Sequence, residues 1–213
     1  MSKNTIKTML LTSAGMNVKE EILKILPSLP SKIKIAHITT ASKVEENLSY
    51  LEKERWVMKE LGFNVEDIDI EGKNENELRT FLKDKDVIYI QGGNTFYLLK
   101  NVRASGFDRV VKELIDSGVI YIGVSAGSYI ACPTIEMATW KHADRNIVGL
   151  TNLTALNLVP FLVSVHYKPE YKDILKEAIA KTKYPVRILT DEQALLIRNS
   201  EVRLVGKGEE VKI

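Results

Sequence analysis

One serine sits where a serine can do chemistry. Val119 to Ile122 form a short, largely apolar run that leads straight into Gly123-Val124-Ser125-Ala126-Gly127, and the small, helix-compatible Ser128-Tyr129-Ile130-Ala131 follows. Gly-x-Ser-x-Gly between a buried strand and a helix marks a sharp turn. Such a turn pushes the serine hydroxyl out of the sheet, close to backbone N–H groups. The flanking glycines are expected to let the chain turn tightly and to leave room for a substrate. Ser125 is therefore the candidate nucleophile. The motif by itself is only moderately specific, since a glycine-rich turn with a solvated serine has the same letters. The strand and helix around it favour the chemical reading.

A serine hydroxyl is a weak nucleophile without a base in hydrogen-bond reach, and the base needs an orienting group. The chain has three histidines. His37 lies inside an apolar run and reads as a hydrogen-bonded core residue. His142 lies in the charged Lys141-His142-Ala143-Asp144 and reads as solvated. His166 follows Val163-Ser164-Val165 at the end of a predicted strand, where a cleft residue would sit, and is the expected base. Asp144 is the expected third member, giving the order Ser, Asp, His of the α/β-hydrolases. Glu136, Asp173 and Glu192 compete with it. Acyl transfer also needs donors for an oxyanion. The N–H of Ala126 is one candidate. Gly93 is the other, because the pair Gly92-Gly93 after an apolar run allows close backbone approach. That pair matches neither G-x-G-x-x-G nor a lysine-containing phosphate loop. Asn94 or Thr95 is placed to cap the helix that follows.

The elements that must hold these residues alternate. Strands are predicted over 5–12, 32–39, 63–70, 86–90 and 119–122, with helices over 18–26, 45–61, 74–82, 96–102 and 107–116 between them. Alternation with continuously apolar strands predicts an α/β three-layer sandwich, a mainly parallel sheet covered on both faces. Sites in such sheets lie beyond the carboxyl ends of the strands, so the Gly92-Gly93 and Ser125 turns are expected to face one cleft. Residues 133–150 read mostly as loop, 161–167 as a strand and 169–181 as a helix. Short strands over 187–190, 194–197 and 201–205 are expected to form a C-terminal antiparallel edge.

At 213 residues the chain fits one domain, 1–213. Thirty basic against 28 acidic residues leave a net charge of +2, which offers no concentrated basic face for nucleic acid. The single cysteine, Cys132, excludes an internal disulfide and fits a reducing compartment. The apolar run 9–11 is too short for a membrane span or a signal core. A cytoplasmic protein is expected. No cluster of His, Cys and acidic residues has metal-ligand spacing, and no cofactor is implied.

Four segments together resemble peptidase E, the aspartyl dipeptidase family of serine peptidases, whose fold is similar to that of class I glutamine amidotransferases. They are Gln91-Gly92-Gly93-Asn94-Thr95-Phe96, Val124-Ser125-Ala126-Gly127-Ser128, Ala131-Cys132-Pro133-Thr134-Ile135, and Ala155-Leu156-Asn157-Leu158 leading to His166. The resemblance implies that Ser125 is the nucleophile and His166 the base, with oxyanion donors at Gly93 and Ala126. It implies Asp144 as the acid when counted back from Ala155, but a position near Trp140 when counted forward from Cys132. It implies Asn94 near the substrate, and it is consistent with a homodimer. Members of the family carry an arginine after the histidine that pairs with the substrate's aspartate. Here Tyr167-Lys168-Pro169-Glu170-Tyr171-Lys172 follows, leaving Lys168 or Lys172 as substitutes without the two-pronged guanidinium. The expectation is a serine peptidase acting on small peptides, including dipeptides with N-terminal Asp. The alternatives are a cyanophycinase-like or other serine hydrolase, or a binding protein without catalysis.

Overall fold

The apolar runs pair into a seven-stranded sheet in a computed structural model that describes residues 5–141 and 144–213. The strands are β1 (Thr8–Thr12), β2 (Lys34–Ile38), β3 (Asn64–Ile68), β4 (Val87–Ile90), β5 (Ile120–Val124), β8 (Gln193–Arg198) and β9 (Glu201–Gly206), with β6 (Leu162–Ser164) and β7 (Val186–Ile188) outside this sheet. Their order is β3-β2-β4-β5-β1-β8-β9. The first five run parallel, and β8 and β9 form an antiparallel edge. The predicted architecture is thus observed, with one difference. Residues 186–188 do not join that edge. They pair in parallel with β6 in a separate two-stranded sheet.

The central strands β1, β4 and β5 are buried almost throughout because both faces are covered, while β3 and β9 at the edges are largely exposed. Side chains alternate across the pleat, so Leu10, Val87, Tyr89, Ile120 and Ile122 share one core with α1 (Lys19–Ile25) and α2 (Ser49–Glu60). Met9, Leu11, Ile88, Ile90 and Tyr121 share the other core. It is covered by α3 (Glu75–Leu82), α4 (Thr95–Ser105), α5 (Phe107–Asp116) and α6 (Ala126–Ala131). A further helix, α7 (Lys172–Ile179), follows the segment after β6. Local chemistry sets the ends. Asn74 and Glu77 close a reciprocal capping box on α3, and Gly106 at φ +75° separates α4 from α5.

The strand ends bring the site together. β1 pairs with β5 in the register Thr12 to Val124, and β8 runs back along β1 with Ala194 opposite Thr12. The carboxyl ends of β4, β5 and β1 and the start of β8 therefore meet at one edge. The turns that follow or precede them hold Gly92-Gly93, Ser125, Ser13 and Asp191.

Candidate active site

Ser125 sits in the turn between β5 and α6 with φ 48° and ψ −106°, a conformation that costs a non-glycine residue about 1–3 kcal/mol. Its surroundings over-determine that geometry. Its N–H donates to the Thr12 carbonyl at 3.1 Å, and its own carbonyl accepts from the N–H groups of Ser128 and Tyr129, each at 2.9 Å. The Ser128 hydroxyl lies 2.8 Å from the carbonyls of both Thr12 and Gly123.

The two glycines of the motif serve a different end from the one expected. A Cβ on Gly127 would stand 2.2 Å from the Ile90 carbonyl oxygen, and one on Gly123 would stand 2.6 Å from the Gly127 carbonyl oxygen. Backbone fills the space beside them. They let α6 lie directly on β4 and β5, which brings the start of the helix under the serine.

His166 follows β6 at φ 54°, with its backbone N–H donating to Ser13 Oγ at 2.7 Å. Its Nε2 lies 3.0 Å from Ser125 Oγ and its Nδ1 lies 2.6 Å from Asp191 Oδ1. With the proton on Nδ1 directed at the carboxylate, Nε2 is left to accept from the serine hydroxyl. Ser13 completes the cluster. Its hydroxyl donates to Asp191 Oδ1 at 2.7 Å and is 3.2 Å from His166 Nδ1. The bond from His166, helped by the one from Ser13 and by the charge of Lys141, holds the Asp191 carboxyl down at about 2.

Asp144, expected beside His166, is held elsewhere. Its Oδ2 accepts from the Thr95 N–H at 2.8 Å and from the Thr95 hydroxyl, at the start of α4. The loop is drawn there by Asn94, whose Nδ2 donates to the Arg145 carbonyl at 3.0 Å. Asp144 still lines the cleft together with Ser125 and His166, and burial raises its pKa against the pull of the Thr95 bonds. Of its competitors, Glu192 pairs with Lys207 and Asp173 is exposed on α7. Neither partners His166.

The remaining expected residues divide. Gly93, at φ +136°, lines the cleft with Ser125, and a Cβ there would stand 2.4 Å from the Ala41 carbonyl oxygen. Ala126 is the first residue of α6, so its N–H has no acceptor within the helix. Asn94 lines neither pocket beside the serine; its Oδ1 caps α4 by accepting from the Tyr97 N–H at 2.9 Å. His37 is a core residue, with Nδ1 2.7 Å from Asp67 and Nε2 3.2 Å from Gln91. His142 lies outside the described residues.

Two hollows flank the Ser125–His166 pair. The larger, about 710 Å³, runs between the turn after β1 and the α2 face, within the range of ordinary ligand pockets. The smaller, about 140 Å³, is bounded by Tyr129, Met137, Lys141, Asp144 and Tyr171. Lys141 is the lysine in it; Lys168 and Lys172 are exposed and outside it. Its Nζ donates to the Val165 carbonyl and stands 5.5 Å from the Tyr171 ring centre. Burial brings its pKa down to about 8. Sequence reasoning missed Asp191, Ser13 and Lys141. Strand-end position was the available signal for Ser13, which follows β1 as Ser125 follows β5.

Comparison with known proteins adds an independent line. The model of "Peptidase family S51" matches residues 9–205. An uncharacterized peptidase of Listeria monocytogenes is 34% identical over 200 residues, covering 92% of this chain and 97% of the relative. A Peptidase E of Nostoc sp. is 30% identical over 216 residues, covering 94% and 86%. A solved structure from Listeria monocytogenes EGD-e, assigned to peptidase E, superposes with a TM-score of 0.85 at 33% identity, covering 96% of this chain and all of that one. Among the described residues, no helix is long and apolar enough to cross a membrane.

Proposed function

The chain belongs to peptidase family S51 and is a peptidase, and from that premise we propose that it cleaves dipeptides through a triad of Ser125, His166 and Asp191. One observation carries the reading: His166 stands between the Ser125 hydroxyl at 3.0 Å and the Asp191 carboxylate at 2.6 Å. Ser125 Oγ attacks the scissile carbonyl carbon and passes its proton to His166 Nε2. Asp191 keeps the ring in the required tautomer and stabilises the imidazolium. The N–H groups of Gly93 and Ala126 receive the oxyanion. His166 then protonates the leaving amine, and water, deprotonated by the same nitrogen, releases the acyl group from Ser125.

Two features support an amino-terminal residue with an acidic side chain on the acyl side. Asp144, with one carboxyl oxygen taken up by Thr95, offers the other to an α-ammonium. Lys141 supplies a cation in the small hollow beside the serine, in the role first expected of Lys168 or Lys172. A single compact ammonium binds a carboxylate less selectively than a guanidinium, so other amino-terminal residues should be cleaved more slowly rather than refused. The buried, unpaired Cys132 is in keeping with a cytoplasmic setting.

The test is hydrolysis of Asp-Leu beside its Glu-, Asn-, Gly- and Leu-containing analogues, by wild type and Ser125→Ala. Serine-dependent cleavage led by Asp-Leu is the expected result. Serine-dependent cleavage with no acidic preference would remove the assignment of Lys141 and keep the mechanism. A folded protein that cleaves nothing in the panel would end the dipeptidase reading.

A further inference from the structure

The larger hollow is charged unevenly from end to end. Along its α2 side the lining residues run Glu45, Tyr50, Lys53, Glu54 and Val57, so an exposed lysine and a buried carboxylate stand one turn into the helix and Glu45 lies before its start. At the acidic end Glu45 stands close enough to Asp144 to feel its charge. Burial raises both, and the charge of Asp144 raises Glu45 further while Arg145 partly offsets it. Tyr50, between the two ends, is pushed up to about 12 by burial and by the charges of Glu45 and Asp144.

At the other end Lys19, from the start of α1, joins Lys53 on the wall. Both are exposed, and neither has an ion-pair partner among the described residues. Glu54, the carboxylate that lines the hollow next to Lys53, is buried and turned inward. It accepts from the Tyr89 hydroxyl at 2.5 Å and the Met16 N–H at 3.1 Å. Two cations on separate helices thus face one cavity, and the carboxylate lining it beside Lys53, Glu54, is already engaged by Tyr89 and Met16.

We infer that Lys19 and Lys53 bind the free C-terminal carboxylate of the substrate, making the larger hollow a leaving-group site for the last residue of a short peptide. The inference rests on the serine peptidase reading and extends it. Peptide direction fixes the assignment. The acyl residue carries the ammonium, which suits the Glu45–Asp144 end, so the leaving residue must carry its carboxylate away from that end. The two residues of an extended dipeptide span about 7 Å, and Lys19 and Lys53 line the same hollow as Ser125. Between the charges, Met16, Tyr50 and Val57 offer apolar surface to the leaving side chain. A peptide whose C-terminus is capped or extended loses the carboxylate at that position.

The test compares Asp-Leu, Ala-Leu and Gly-Leu, each as free acid and as C-terminal amide, with wild type, Lys19→Gln/Lys53→Gln, Lys19→Glu/Lys53→Glu and Ser125→Ala. Wild type should favour the free acid by about tenfold in kcat/KM, the combined effect expected of two exposed charge contacts. The glutamine pair should bring that ratio to about one by raising KM for the acid, with amide turnover unchanged as the control for folding. The glutamate pair should favour the amide. Equal Ser125-dependent cleavage of acid and amide by wild type would overturn the inference while leaving the peptidase reading intact, and so would a glutamine pair that slows both forms alike. Absence of Ser125-dependent cleavage in every form would overturn both.

Discussion

Replacing Asp191 with asparagine removes one charge from the cluster and little else. The imidazolium that forms on His166 during attack then loses an anion whose Oδ1 lies 2.6 Å from Nδ1. Taking the charge centres as about 4 Å apart, that attraction is about 4 kcal/mol at the effective dielectric of a protein near its surface. The His166 and Asp191 side chains are 44% and 50% exposed, so solvent screening reduces it to about 2–3 kcal/mol. At 1.4 kcal/mol per factor of ten, the lost charge alone slows kcat about a hundredfold. An amide that turns its NH₂ toward Nδ1 would also hold the wrong tautomer, which in other serine triads brings the loss to about ten-thousandfold. Asp191→Asn should therefore lower kcat by at least about a hundredfold with KM nearly unchanged. Asp144→Asn, whose partner is Thr95, should keep kcat within about tenfold of wild type and act mainly on KM. Steady-state kinetics of both variants on one dipeptide, with thermal unfolding to confirm the fold, makes the comparison. A hundredfold loss of kcat in Asp144→Asn beside a near-normal Asp191→Asn would refute the assignment of the acid.

Two other perturbations follow from the same geometry. Gly127→Ala places a methyl 2.2 Å from the Ile90 carbonyl oxygen, where backbone cannot give way cheaply, so urea unfolding should register a loss of about 3 kcal/mol or more. Lys141 is brought down to about 8 by burial, so its ammonium is present below that pH and lost above it. Between pH 7 and pH 9, KM for Asp-Leu should rise relative to KM for Ala-Leu, whose own α-ammonium titrates alike; a constant ratio would exclude Lys141 as the reader of an acidic side chain.

The meeting of Ser125 and His166 was legible for local reasons. A buried run ending in Gly-x-Ser-x-Gly has few structural meanings, and only one histidine stood at the end of a strand. The sheet was legible because continuously apolar strands alternating with helices leave few alternatives to a covered parallel sheet. Asp191 was not legible. It lies in a polar turn beside Glu192 and looks like an ordinary solvated acid. What makes it different is that β8 runs antiparallel along β1, which the letters around it do not encode. The Ser, Asp, His order borrowed from another fold pointed to Asp144 instead; the carboxylate in contact with His166 follows it by 25 residues. Ser13 was hidden by the same cause, since its bond to Asp191 depends on β8 lying next to β1. The glycines of the motif were found but assigned to the wrong neighbour: the space beside them belongs to the backbones of β4 and α6, not to a substrate. Residues 186–188 were misplaced because a three-residue apolar strand has no signal of its own for which sheet it joins.

The order in which the site's parts occur along the chain has a consequence for how the enzyme is made. Ser13 and the Gly92-Gly93 turn leave the ribosome first, then the strained Ser125 turn, then His166 after 41 residues and Asp191 after a further 25. Until β8 docks against β1, a nascent chain holds a serine with no oriented base. With Ser125, His166 and Asp191 as the proposed triad, the site is complete only when the sheet edge closes, so assembly of the site is tied to the last step of sheet formation.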